Sequence, residues 1–468
     1  MIRNAGFLLL TEAIVRLAAL ALSIAIARLV GSTGYGQYVY ALAYVGLYAA
    51  VADFGTHRYL TRAIARERQA ASRLLTTVLT AKSVVLLPSL MAAVALTALQ
   101  PASDRPLLLL FLAAGTAQSL AGLLRALFYG FERMELDTIS RLAERAVAIG
   151  GALLALLIGR GLLGVGVALL VAGMLDLGLV SVLTLRNFAR PARAAPWRAV
   201  VPALRGALPL GLFGLTLSLY SGLPLYLLKA WQGTAAAGQY GAAATPVFAL
   251  IPLPVTVAAA ALPVFTRLAA TDRAALQATF GLLLRLFCLA GLVVAPGVMI
   301  VAPAVVQLIY GSAFSEAGQA LRILAIGLLG AFPLQVCVNL LVATGAQRRV
   351  LQIDVAALVW QCVVDVVAIP RWGVEGAAWG TASAELLVAA LFISAAFRVA
   401  GRPPLAPLLR ALPATAGMAA VAIPLLRFGL LPAIAGGAGA YGALFLVLRV
   451  MSKEELQTAL TLLRRRAG

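Results

Sequence analysis

The sequence predicts an all-α polytopic membrane protein of about fourteen transmembrane helices. They form two six-helix lobes in a parallel pseudo-twofold repeat, followed by helices 13 and 14. Composition, the placement of arginine and an internal repeat predict this. Of 468 residues, 62% are hydrophobic and 12% charged, with a mean hydropathy of +0.99. A soluble domain carries about a quarter charged residues. A transmembrane β-barrel would show alternating segments of ~10 residues. Here the apolar runs are unbroken and about 20 residues long, the length of a helical span.

The spans follow in order. Arg3 precedes an apolar run without a small-residue cleavage site, so span 1 (5–29) is read as a retained helix rather than a signal peptide. It carries Glu12, Arg16 and Arg28. The turn Gly34-Tyr35-Gly36-Gln37-Tyr38 opens span 2 (37–59), which carries Tyr40, Tyr44, Tyr48 and Asp53 and ends near His57, the sole histidine. Arg62, Arg66, Arg68 and Arg73 form its exit. Span 3 (74–99) holds Lys82 and span 4 (107–129) holds Arg125. Spans 5 (140–159) and 6 (162–185) follow, the latter with Asp176. A polar connection from Arg186 to Arg205 contains Pro191, Pro196 and Pro202 and marks the border between halves.

Span 7 (206–228) contains Gly206, Pro209, Gly211, Gly214, Tyr220, Gly222 and Pro224, and Lys229 follows it. Span 8 (238–262) contains Pro246, Pro252 and Pro254. Interior prolines kink helices, so both spans are expected to bend. They serve either as a hinge or as static kinks. Spans 9 (278–304, with Arg285), 10 (320–344), 11 (349–369, with Asp354 and Asp365) and 12 (375–397, with Glu385) complete the second half. Spans 13 (410–428) and 14 (430–450) lie outside the repeat. The expected organisation is therefore an N-terminal lobe at 1–190, a basic linker at 191–205, a C-terminal lobe at 206–400, accessory helices at 401–451 and a basic tail at 452–468. Leu456, Leu460 and Leu463 would give the tail an amphipathic face on the inner leaflet.

Net charge is +20. The arginines cluster at the ends of even-numbered spans, while the opposite side offers only Arg105, Arg160, Lys229, Arg371 and Arg427. The charge is thus a topology signal that places both termini in the cytoplasm, and no nucleic-acid partner is expected. Cys288, Cys337 and Cys362 lie in apolar runs without metal spacing. No metal, no cofactor, no P-loop and no catalytic constellation is expected, so the chain is read as a transporter rather than an enzyme.

Three matches build the repeat. Gly36-Gln37-Tyr38 returns as Gly238-Gln239-Tyr240, Gly130-Phe131-Glu132-Arg133 as Gly345-Ala346-Gln347-Arg348, and Gly161-Leu162-Leu163-Gly164 as Gly373-Val374-Glu375-Gly376. Six spans per half make the repeat parallel, an architecture used by secondary transporters that work by alternating access.

These residues carry a resemblance. Gly34 to Tyr38 with Asp53-Phe54-Gly55 and the Arg62-to-Arg66 exit resemble the start of a polysaccharide-biosynthesis flippase. So do Gly238 to Ala243 with Leu262-Pro263 and Arg267, the Leu308-Ile309-Tyr310-Gly311 turn with Phe314, and Gly373 to Ala378. The chain is similar to Wzx-like members of the multidrug/oligosaccharidyl-lipid/polysaccharide (MOP) exporter superfamily. The resemblance implies translocation of undecaprenyl-pyrophosphate-linked oligosaccharide, such as an O-antigen repeat unit for lipopolysaccharide, across a bacterial inner membrane. Polysaccharide polymerase and glycosyltransferases are the implied partners. The superfamily also holds drug antiporters, so an ion-coupled drug or metabolite antiporter stays open, as does a non-transport scaffold of a polysaccharide-assembly complex.

A pyrophosphate inside a bilayer needs buried cations, and a mid-membrane cation costs about 2.5–3.5 kcal/mol unless a cavity or partner receives it. Arg16, Arg285, Arg125, Lys82, Arg28 and Lys229 are the candidates, with arginine favoured for its bidentate fork. Arg16 could instead pair with Glu12 one turn earlier. Lys82, Arg125 and Arg285 could snorkel. Asp176, Glu385, Asp53 and Glu12 are candidates for ion coupling or gating, or for structural ion pairs. Tyr40, Tyr44, Tyr48 and Tyr220 could stack on sugar rings, or simply pack helices.

Overall fold

The computed structural model describes residues 2–190, 192, 197–404, 406–448 and 450, with side chains from Ala18 onward except those of 406 and 407. The 452–468 tail lies outside the described residues. Everything regular among the described residues is helical. The chain divides into two compact units, Met1–Gly238 and Gln239–Gly468.

The first unit contains α1 (Ile2–Asp53), α2 (Thr56–Arg66), α3 (Ala71–Ala98), α4 (Arg105–Gly130), α5 (Met134–Leu157), α6 (Gly161–Asn187), α7 (Trp197–Gln232) and the opening turn of α8 (Thr234–Leu250). The second contains the rest of α8, then α9 (Pro252–Ala259), α10 (Leu262–Thr271), α11 (Arg273–Tyr310), α12 (Ser315–Ala343) and α13 (Gln347–Ala400). It ends with α14 (Ala406–Leu409), α15 (Ala411–Leu425) and α16 (Leu430–Val447).

Among the described residues, eleven segments are long and apolar enough to cross a membrane. Two of them, α1 and α13, are each broken by one glycine outside helical geometry, Gly31 at φ 71° and Gly373 at φ 54°. Each therefore supplies two spans. The charge-rich α5 is the remaining place in a count of about fourteen. Positive φ is costly for residues with a Cβ, so glycine marks these breaks.

Several expected boundaries move. The break before span 2 is at Gly31, and Gly34 to Tyr38 are helical rather than a turn. Span 2 stops at Asp53 rather than 59. Phe54 and Gly55 both take positive φ, 46° and 73°. The following α2 is a separate amphipathic helix. Its Leu60 and Ile64 are buried with Leu75, Val78, Leu123 and Leu127, while Arg58, Arg62 and Arg66 are exposed. Helix α7 starts at Trp197, within the connection expected to be a linker, and runs continuously through Pro202, Pro209 and Pro224. Span 8 instead divides into α8, α9 and α10, with Pro252 and Pro263 near the starts of the last two. Proline suits that position because the first turn has no use for its missing N–H.

The division between compact units falls at 238, after α7. This helix packs against α1, α2 and α3 within the first unit. In the second unit α12 is the buried centre, between α11 and α13. The hairpin of α15 and α16 packs on α11 through Leu289, Ala411, Met418, Tyr441 and Val293. Large apolar side chains elsewhere point outward, Met91, Leu157, Leu431 and Val447 among them, as expected of a chain whose solvent is lipid.

The repeat has a physical seat. Ser32 and Thr234, like Gly36 and Gly238, are 202 residues apart. A Cβ on Gly36 would meet the Thr234 carbonyl oxygen at 1.9 Å, and a Cβ on Gly238 would meet that of Ser32 at 2.0 Å. The contact is reciprocal, with each glycine admitting the other segment's backbone. The glutamines that follow also act alike. Gln37 donates to Asp104 at the start of α4, at 3.0 Å. Gln239 donates to the Ala313 carbonyl at 2.8 Å and accepts from the Ala317 amide at 3.2 Å, at the start of α12.

Candidate functional site

In the first unit, the expected cavity cation Arg125 is buried in an ion-pair network between α4, α5 and α6. It meets Asp176 at 2.5 Å and Asp137 at 3.2 Å and donates to the Ser140 hydroxyl at 3.3 Å. Asp137 also receives Arg141 at 3.0 Å and the Tyr129 hydroxyl at 2.7 Å. Glu144, one turn beyond Ser140, accepts from Gln118 at 3.3 Å and pairs with Arg145. Arg125 and Asp176, expected to serve phosphate and ion respectively, thus neutralise each other. Removing either partner would leave the other charge buried and uncompensated.

Lys82 is likewise engaged. Only 1% exposed, it reaches Asp53 at 3.3 Å, and His57 Nδ1 lies 2.7 Å from the other Asp53 oxygen. Asp53 is thus a local hub at the end of α1, where Phe54 and Gly55 turn the chain into α2. The sequence placed it close to His57 at the end of its span. The pairing with Lys82, 29 residues away, needed the fold.

The third cation, Lys229, ends α7 in a cluster that the sequence did not disclose. Its ammonium is 2.6 Å from Asp104, 3.3 Å from Gln100 and 3.7 Å above the Tyr40 ring. Asp104 lies in the short connection between α3 and α4, and no local pattern ties it to Lys229, 125 residues later.

The expected sugar-stacking stripe is packed inside the same unit. Tyr40 stacks with Tyr44 at 6.2 Å and meets Tyr226 edge-on at 6.0 Å. Tyr44 donates to the Ala93 carbonyl, Tyr48 is hydrogen-bonded to Thr116 at 2.8 Å, and Tyr226 donates to the Ala43 carbonyl. Tyr220 is half-buried. Tyr40→Phe keeps a ring under Lys229 and is expected to leave thermal stability within about 0.5 kcal/mol. Tyr40→Leu is expected to lower it by about 1–2 kcal/mol through the lost cation–π contact. Melting curves of the purified variants check both.

The second unit holds a different kind of group. Asp365 on α13 is fully buried, and neither carboxylate oxygen has a hydrogen-bond partner among the described residues. It fills the space that a Cβ on Gly380 would occupy, at 1.8 Å. One turn earlier, Gln361 donates to the Thr381 hydroxyl at 3.4 Å, and Thr381 is bonded to Tyr240 at 2.8 Å. Sequence analysis noted Asp365 as a buried acid but passed it over for Asp176 and Glu385. Glu385 instead lines a mostly apolar cavity of about 20 Å³ with Thr381, Phe248 and Leu328. That is room for about one water. Arg285 on α11 is half-buried and donates to the Gly281 carbonyl at 3.3 Å, and Arg28 is exposed. The side chains of Glu12 and Arg16 lie outside the described residues.

The family described as "Polysaccharide biosynthesis protein" matches residues 1–269, more than half of the chain. The chain belongs to this family. No curated protein matches it. Among solved structures, this member of the polysaccharide biosynthesis family is similar to the lipid II flippase MurJ in an inward closed conformation. The TM-score is 0.80 at 12% identity, over 94% of this chain and 98% of that one. It is also similar to an inward-facing multidrug-resistance MATE transporter of the MOP superfamily, with TM-score 0.66, 18% identity and coverage of 83% and 98%. A third likeness is to a MOP superfamily transporter from Pyrococcus furiosus described as having a binding pocket of reverse polarity, with TM-score 0.55, 15% identity and coverage of 85% and 96%. At these identities the likeness establishes that the chain shares their fold. It agrees with the polytopic helical architecture expected from the sequence.

Proposed function

We propose that this polysaccharide biosynthesis family member flips an undecaprenyl-pyrophosphate-linked oligosaccharide, of the O-antigen repeat-unit kind, between leaflets of a bacterial inner membrane by alternating access. The observation that carries this reading is the family match over residues 1–269, joined to a fold shared along nearly the whole chain with a lipid II flippase. A lipid-linked pyrophosphate needs a cation within the membrane. Arg125, Lys82 and Lys229 each already meet a carboxylate, and Arg16, which the sequence places near the middle of its span, is the cation to which this reading gives the role. The six-helix lobes, with α15 and α16 beside the second, are the bodies that move.

The test uses vesicles holding the purified chain and a fluorescent pyrophosphate-linked sugar lipid. Arg16→Ala is expected to reduce flipping at least tenfold without lowering the melting temperature. Normal flipping by that variant would remove Arg16 from the mechanism, and the absence of flipping by the parent protein would remove the proposal itself.

Ion coupling belongs to Asp365 in this reading. A buried carboxylate without a counter-charge is costly unless it is protonated or holds a cation; among the described residues no ion pair meets Asp365, whereas Asp176 and Asp53 already have counter-charges. Asp365→Asn keeps the shape and removes the charge. Flipping by this variant is expected to lose its response to imposed proton and sodium gradients. An unchanged response would assign coupling elsewhere.

A further inference from the structure

We propose a phospholipid-binding groove on the outer face of the first unit, between α5 and α6, that selects an anionic headgroup through Arg160. The groove has a volume of about 630 Å³ and is lined by Val147, Leu154, Ile158, Leu163, Val167 and Val171, with Arg160 at one end. That volume lies within the ~300–1,000 Å³ of ligand pockets. Its floor is where the helices touch. A Cβ on Gly151 would meet Ala168 at 3.0 Å, and one on Gly164 would meet Ala155 at 2.8 Å. Small residues there bring the backbones together, and the larger apolar side chains on either side form the walls.

Length and charge identify the occupant. From Val147 to Ile158 the groove follows eleven helical steps, about 16 Å at 1.5 Å per residue. Half of a ~30 Å hydrocarbon core is about 15 Å. The groove therefore matches one acyl chain in one leaflet, and a polyprenyl chain far exceeds it. Arg160 stands in the connection between the two helices, where that leaflet's headgroups lie. It is exposed, and no ion pair holds it among the described residues. A guanidinium in that position favours a phosphate and disfavours a headgroup that carries its own cation. Arg125, Arg141 and Arg145, within α4 and α5, are paired with Asp137, Asp176 and Glu144. Arg160 is the cation this groove has to offer.

The inference does not depend on what the protein transports, because occupancy is read without transport. The full chain is placed in phosphatidylethanolamine vesicles doped with a phospholipid bearing a diazirine in its acyl chain, as phosphatidylglycerol or as phosphatidylcholine. After illumination, labelled peptides are mapped. Residues 147–171 are expected to take several-fold more label from phosphatidylglycerol than from phosphatidylcholine. Arg160→Gln should erase that preference. Val171→Trp, at a 52% exposed position on the groove wall, should lower labelling by both lipids while sparing other spans. Equal labelling of the parent protein by the two lipids would overturn the proposal. So would an undiminished preference in Arg160→Gln, or labelling in Val171→Trp that matches the parent. Preferential labelling of this groove by an added polyprenyl phosphate over phosphatidylglycerol would overturn the assignment to phospholipid.

Discussion

Arg125→Met is expected to destabilise the protein by about 3–5 kcal/mol, the cost of leaving buried carboxylates without their counter-ion. Asp137 and Asp176 are each 1% exposed, and both face this one guanidinium. Asp137 keeps Arg141 and Tyr129, but Asp176 loses the only hydrogen-bonding partner recorded for it among the described residues. Adding Asp176→Leu should therefore recover about half of the loss, since directly paired residues couple strongly in double-mutant cycles. Melting temperatures and urea resistance of the three variants check this. A cation that served a phosphate would behave differently. Its removal would abolish flipping at unchanged stability, and deleting Asp176 would rescue nothing.

Gly36→Ala and Gly238→Ala are expected to reverse the usual sign of such a change. Within a helix, alanine is ordinarily favoured over glycine by about 1 kcal/mol. Here the new methyl would lie 1.9 Å from the Thr234 carbonyl oxygen or 2.0 Å from that of Ser32. These are backbone atoms and cannot rotate aside, so the two segments must separate. Overpacking of this kind costs about 1–3 kcal/mol. Melting curves of the two purified variants check this. A melting temperature unchanged or raised in either would mean that the segments do not meet as described.

These positions show how far the sequence was legible. That the chain is a polytopic helical membrane protein of about fourteen spans was readable because a bilayer imposes a minimum apolar run, and each run announces itself without reference to any neighbour. Gly36 and Gly238 were noticed as a repeated pair, but their purpose was misread as a turn. Glycine signals both positive φ and close approach, and only the crossing of the two segments tells these apart. Gly31, three residues before the noticed motif, carries the break instead.

Candidate residues fared by a similar rule. Buried cations stand out in apolar runs, so Arg125, Lys82 and Lys229 were all found. What could not be found was their counter-charge, because Asp176, Asp53 and Asp104 lie 51, 29 and 125 residues from them in the chain. The same limit concealed Asp365. An acid in a span looks alike whether it is paired or alone, and its lack of a partner is a property of everything packed around it.

The sequence by itself determined that this chain crosses a membrane many times, that a Gly-Gln-Tyr motif recurs along it, and where its charges lie. Each of these is set by local hydrophobicity and spacing, against a solvent that tolerates only satisfied backbones. Tertiary structure alone decided which charges cancel, which rings are already occupied, and that the Gly-Gln-Tyr motif is a crossing rather than a turn. Those outcomes depend on distances between residues far apart in the chain, and close packing of helices sets such distances.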